Sequence, residues 1–112
     1  MNVNDDFNKV AIAKKEFSEW IINKPFNFKC LQFIFPFTET DKEITTWIFF
    51  QKNKDVVKHK KTNTLNLIIN KFKVLLLNQG LSEETVNTMK FEVDSDENVK
   101  NNYEGNYFYR LR

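Results

Sequence analysis

Cysteine, histidine, glycine, proline and arginine are all scarce in this 112-residue sequence, and each scarcity removes a kind of chemistry. A single cysteine, Cys30, rules out an internal disulfide and fits a reducing compartment. The single histidine, His59, sits inside a lysine run, and Cys30 sits in an apolar stretch. Nothing pairs them as nucleophile and base with a third group to orient the base. Two Cys/His residues also fall short of the four local ligands of a structural zinc site. With only Gly80 and Gly105, neither a dinucleotide fingerprint nor a Walker loop can be written. Of seventeen basic residues only Arg110 and Arg112 are arginine, the side chain most used to read base edges. The apolar runs "WIFF" and "VLLL" are far shorter than the ~20 residues that span a bilayer. The stretch "MNVNDDFNK" has neither the basic nor the apolar region of a secretory signal. These absences predict a soluble cytoplasmic protein that is not an enzyme, takes no cofactor or metal and engages no membrane.

What is abundant is phenylalanine, twelve residues, with two tryptophans and three tyrosines. One domain over residues 1–112 suits this length, and such a domain buries roughly two-thirds of its unfolded surface. Aromatic rings therefore carry much of the expected core.

Phe7, Val10, Ala11, Phe17, Trp20 and Ile21 fall mostly on one side of a helix, capped by Asn4 or Asp5 and stopped by Pro25. "FNFKCLQFIFPF" reads as a strand with Phe26, Phe28, Cys30 and Ile34 on one face and Leu31, Phe33 and Phe35 on the other. Apolar residues on both faces suggest a central strand. "TETDKE" reads as a hairpin loop leading to a second strand, "ITTWIFFQ", with Ile44, Ile48 and Phe50 opposed to Trp47 and Phe49. "KNKDVVKHKK" could extend a strand after a turn or open the next helix, and a loop with a short extended part is the favoured reading. Leu65, Ile68, Ile69, Phe72, Leu75 and Leu76 then mark a helix capped by Thr62 or Thr64 and ended by Gly80. Ser82 and Ser95 can each cap a helical turn. Between them "TMKFEVD" alternates as a strand, Met89, Phe91 and Val93 inward. "YEGN" turns the chain and "YFYRLR" reads as a last strand. The expected fold is an α+β two-layer sandwich in the order α-β-β-α-β-β, with a four-stranded, mainly antiparallel sheet and two helices on one face.

Charge is small in total, +2, but unevenly spread. Lys52 to Lys61 holds five lysines against Asp55, and Ser82 to Glu97 holds six acids against Lys90. "DSDEN" superficially matches the start of a calcium loop, yet it lacks the glycine at the sixth position and the glutamate at the twelfth. Asp94 and Asp96 would share a face on a continuing strand, where two carboxylates can hold a metal. A cap at Ser95 followed by acids at a helix start explains the same residues better.

The candidate protein-contact surface is Asp94, Asp96, Glu97, Tyr103, Glu104, Tyr107 and Tyr109. Tyrosine is enriched in interface hot spots, and acids around it select a basic partner. The alternative is a basic patch of Lys52, Lys54, Lys58, His59, Lys60 and Lys61 that could neutralise phosphates, with Trp47 or Phe49 stacking on bases. In size and polarised surface the chain resembles, by type and without a shared motif, small bacterial immunity proteins and antitoxins, and also phage-encoded inhibitors. That likeness implies a module that neutralises a toxin by direct binding, the acidic end meeting a basic toxin domain. The protein is expected to be a monomer or a homodimer, the latter formed through the second apolar sheet face or an edge strand.

Overall fold

In the computed structural model, residues 3–35 and 43–111 are described. The described residues form an α+β fold with one three-stranded mixed sheet and six helices. The elements are α1 (Val3–Ile21), β1 (Phe28–Ile34), β2 (Thr45–Phe50), α2 (Asn53–Lys61), α3 (Thr64–Asn78), α4 (Glu83–Thr88), β3 (Lys90–Ser95), α5 (Asp96–Asn102) and α6 (Tyr107–Arg110). No helix among them is long and apolar enough to cross a membrane.

The sheet order is β1-β2-β3. β1 pairs with β2 antiparallel, and β2 pairs with β3 parallel, Thr45 opposite Lys90 and Phe50 opposite Ser95. A parallel neighbour requires a crossover, and α2, α3 and α4 provide it. The expected four-stranded antiparallel sheet is therefore wrong in two respects. β3 runs parallel because three helices carry the chain back to the start of β2. "YFYRLR" is no strand, because Asn106 caps a helical turn there, its side chain accepting from the Tyr109 N–H at 3.2 Å.

The core lies between the sheet and the pair α1/α3. Val10, Ala13, Phe17 and Ile21 recur on one side of α1, and Ile68, Phe72, Leu75 and Leu76 on one side of α3. All are buried against Leu31, Ile48 and Phe50. Phe17 is the pivot, meeting Phe72 and Phe28 edge-on at centroid distances of 5.3 and 5.6 Å. α3 ends in a Schellman motif. Gly80, at φ +95°, donates to the Leu77 carbonyl, and Leu81 donates to that of Leu76. The cap at the start of α3 falls on Asn63, not on Thr62 or Thr64. α1 is already helical from Val3, so Asn4 and Asp5 lie inside its first turn.

One face assignment on β1, that of Phe28, also changes. A bulge between Phe28 and Cys30 puts Phe28 on the helix side with Leu31 while Cys30 stays opposite. β1 is an edge strand and β2 is central, with Ile48 and Phe50 facing the core and Trp47 and Phe49 facing away. The expected loop at residues 38–43 lies, apart from Glu43, outside the described residues.

The lysine run is α2, not a loop with an extended part. Its entry is fixed by Asp55, whose carboxylate accepts from the Lys52 N–H at 3.0 Å and from Asn27 Nδ2 at 3.1 Å. Asp55 and His59, one turn apart, face inward and are buried, which turns the intervening lysines to solvent.

Candidate functional site

The second face of the sheet is covered by the chain's own C-terminal end. Phe49 is fully buried beneath Tyr107, whose ring meets it edge-on at 4.7 Å. Trp47 stacks alongside Phe49 at 5.9 Å. The Arg110 guanidinium lies between Trp47 and Tyr103, 4.4 and 5.2 Å from the two ring centres. A planar cation between two aromatic faces is held by both quadrupoles. The apolar second face thus needs no partner subunit to be covered.

Two polar pins fasten α6 to the sheet. The Arg110 side chain donates through Nε to Asp94 Oδ2, and the Tyr107 hydroxyl donates to Asp96 Oδ1. Asp94 also accepts from Asn98 Nδ2 and from the Ser95 N–H, each at 2.8 Å. Burial alone would raise its pKa. The bonds from Arg110, Asn98 and Ser95 outweigh that and hold it below the usual carboxylate range. Asp96 behaves likewise. Burial opposes its charge, but the Tyr107 hydroxyl, the Lys100 ammonium at 2.9 Å and the more distant Lys29 charge keep its pKa low. The Tyr107 hydroxyl is pushed far above its ordinary value by burial and by its bond to Asp96. It therefore acts as a neutral donor.

α5 is set by Ser95, whose hydroxyl accepts from the Asn98 N–H at 2.9 Å, as the capping pattern implied. The same hydroxyl donates to Asn53 Oδ1, and Glu97 accepts from the Asn53 N–H at 2.9 Å, so the starts of α2 and α5 are tied together. Asp94 closes β3 while Asp96 opens α5. The two carboxylates turn to different partners instead of converging on one point.

The structure brings Asp94, Asp96, Tyr103 and Tyr107 into one cluster and commits both aspartates to internal bonds. Glu97 is tied to α2. Glu104 is exposed, in the left-handed region at φ 55°. Tyr109 points outward at 48% exposure, next to Phe108 at 66%. Asn98, which nothing in the sequence singled out, completes the cluster with Arg110 and with Trp47, expected only as a ring stacking on bases. A signal existed for Arg110. It is one of two arginines in a lysine-rich chain, and arginine is the cation that stacks on rings while bonding a carboxylate.

The basic candidates divide. Lys54, Lys58 and Lys61 recur at i, i+4, i+7 and share the outer side of α2, with Lys52 and Lys60 exposed nearby. None makes a salt bridge among the described residues. His59 belongs to the core. Its Nε2 lies 2.8 Å from the Phe26 carbonyl, which can only accept, so Nε2 carries the proton. Its ring packs on Phe26 and Phe50, and Nδ1 has no partner. Cys30 is half-buried on the opposite face, and burial pushes its thiol up.

Comparison with known protein families, curated proteins and solved structures finds no match.

Proposed function

We propose that this is a non-enzymatic module that binds another protein, of the immunity or antitoxin type, through the end formed by α5, α6 and the turn between them. One observation carries this reading. Phe108 and Tyr109 project from a four-residue helix that could not hold its shape alone, yet is fastened by Arg110–Asp94 and Tyr107–Asp96. Such pinning removes the ordering cost that a mobile terminus would meet on binding. Exposed tyrosine on a rigid support is the usual material of an interface hot spot. Glu104, exposed in the turn between α5 and α6, supplies the charge that a basic toxin domain would meet. The state of the reactive groups supports a role without catalysis: Cys30 is kept as a thiol, and His59 donates to a backbone carbonyl.

The test compares wild type with a Phe108→Ala/Tyr109→Ala double variant. Wild type should protect cells from a toxin encoded beside it and bind the purified toxin. The double variant should lose at least about tenfold in affinity at unchanged melting temperature. Equal protection and equal affinity would remove this surface from consideration.

A second reading is favoured by the outer side of α2, where three aligned lysines could follow a phosphate backbone. Three phosphate contacts give a slope of roughly −2.7 for log K against log salt on duplex DNA. Absence of binding to DNA and RNA at low salt dismisses it.

A further inference from the structure

A groove of about 430 Å³ runs along the outer edge of β1, walled by the C-terminal half of α1. Four consecutive residues, 28–31, line it. The bulge between Phe28 and Cys30 breaks the alternation of side chains there, and residues from both faces of the strand reach the groove beside its outer edge. That edge has no neighbour among the described strands. Lys14, Lys24 and Lys29 rim the groove, Ile22 stands in its wall at 77% exposure, and no carboxylate lines it. None of the three lysines makes a salt bridge among the described residues. Lys14 and Lys24 lie over the rings of Phe33 and Trp20, 5.8 and 5.4 Å from their centres, which fixes where the charges stand.

We infer that this groove receives an extended acidic segment of a partner protein, which adds as a strand to the free edge of β1 and sets its carboxylates against Lys14, Lys24 and Lys29. The chemistry selects this occupant over the alternatives. A second copy pairing edge to edge would bring like lysines together. A nucleic acid would use the lysines but not the strand's open N–H and C=O groups. An acidic strand uses both, and Ile22 offers an apolar seat for alternate side chains. The groove lining shares no residue with Phe108 and Tyr109, so the Phe108→Ala/Tyr109→Ala variant tests the α5–α6 end without altering the groove, although Lys29 and Cys30 lie near Asp96 and Tyr107.

The experiment is an amide-resolved NMR titration of the full chain with the blocked heptapeptide EVEVEVE, with KVKVKVK, with EVEVEVE N-methylated at alternate residues, and with oligo(dT). The acidic peptide should shift the amides of residues 28–31 and slow their exchange, and the basic peptide should do neither. N-methylation blocks strand pairing without touching the protein and should weaken binding at least about tenfold. The Lys14→Glu/Lys24→Glu/Lys29→Glu variant should weaken binding by a similar factor, and if it does not fold the N-methylated peptide decides. The inference is overturned if EVEVEVE leaves residues 28–31 unmoved at millimolar concentration, or if the methylated peptide binds equally well. It is also overturned if oligo(dT) shifts these amides and the acidic peptide does not.

Discussion

At the C-terminal end, Asp94, Asp96 and Glu97 each bond to a group of this chain, and Arg110 is enclosed between two rings. Along α2 and the edge of β1, lysines stand in solvent without a salt bridge to a carboxylate among the described residues. In the sequence the two regions look like mirror images, an acidic block and a basic block. Folded, they do different work. Asp94 and Asp96 convert their charge into structure by holding α6 on the sheet, while the lysines leave theirs as a field open to a partner. Local charge in a sequence therefore says little about surface potential until the internal ion pairs are known.

The contrast can be broken most severely at Phe49. Phe49→Ala removes the ring on which Tyr107 rests and should cost about 3–5 kcal/mol in denaturant unfolding. Arg110→Ala should come next, at about 2–3 kcal/mol. It leaves the Asp94 carboxylate, 13% exposed, without its cation, although Arg110 at 23% exposure is not fully desolvated. Tyr107→Phe deletes one donor to Asp96 while Lys100 remains, and should cost about 1–2 kcal/mol.

Acid should act on the same pins. Asp94 and Asp96 have folded pKa values below their unfolded ones, so their stabilisation is complete above the unfolded value near pH 4 and fades as pH falls through the folded values. Trp47 fluorescence followed from neutral pH downward should show α6 leaving the sheet in that acid range. Arg110→Ala should move the change to higher pH. Smallest of all, Lys54→Ala, Lys58→Ala and Lys61→Ala should each shift stability by no more than about 0.5 kcal/mol, because no ion pair is lost. A cost from any of them equal to that of Arg110→Ala would erase the distinction between the two regions.

Much of the core was legible. The spacing of Val10, Phe17 and Ile21, and of Ile68, Phe72 and Leu76, marked the helix faces that pack together, and Gly80 marked the end of α3. Ser82 and Ser95 announced α4 and α5 through their side-chain oxygens, which accept from the Thr85 and Asn98 N–H groups. These are signals that a few neighbouring residues carry by themselves. α2 was missed because only Val56 and Val57 are apolar in it, and its inward side is Asp55 and His59, both polar residues that tertiary contacts bury. Phe28 was assigned to the wrong face because a bulge resets the alternation, and it is visible only against β2. The site was half legible. Its tyrosines and acids stood out by composition, but Trp47 and Arg110, which hold them together, are far apart in sequence.

By itself the sequence determined the α+β class, the main helix faces and the caps at Ser82 and Ser95, all of which follow from residue types at short spacing. Only the tertiary structure decided that β3 runs parallel and that Tyr107–Arg110 forms a helical turn over Phe49. It also decided that Asp94, Asp96 and Glu97 of the acidic block are spent on internal bonds while the lysines of α2 stay open. Those outcomes depend on which distant segments meet, because a strand's direction, a buried face and a charge's partner are properties of contacts, not of any local stretch of chain.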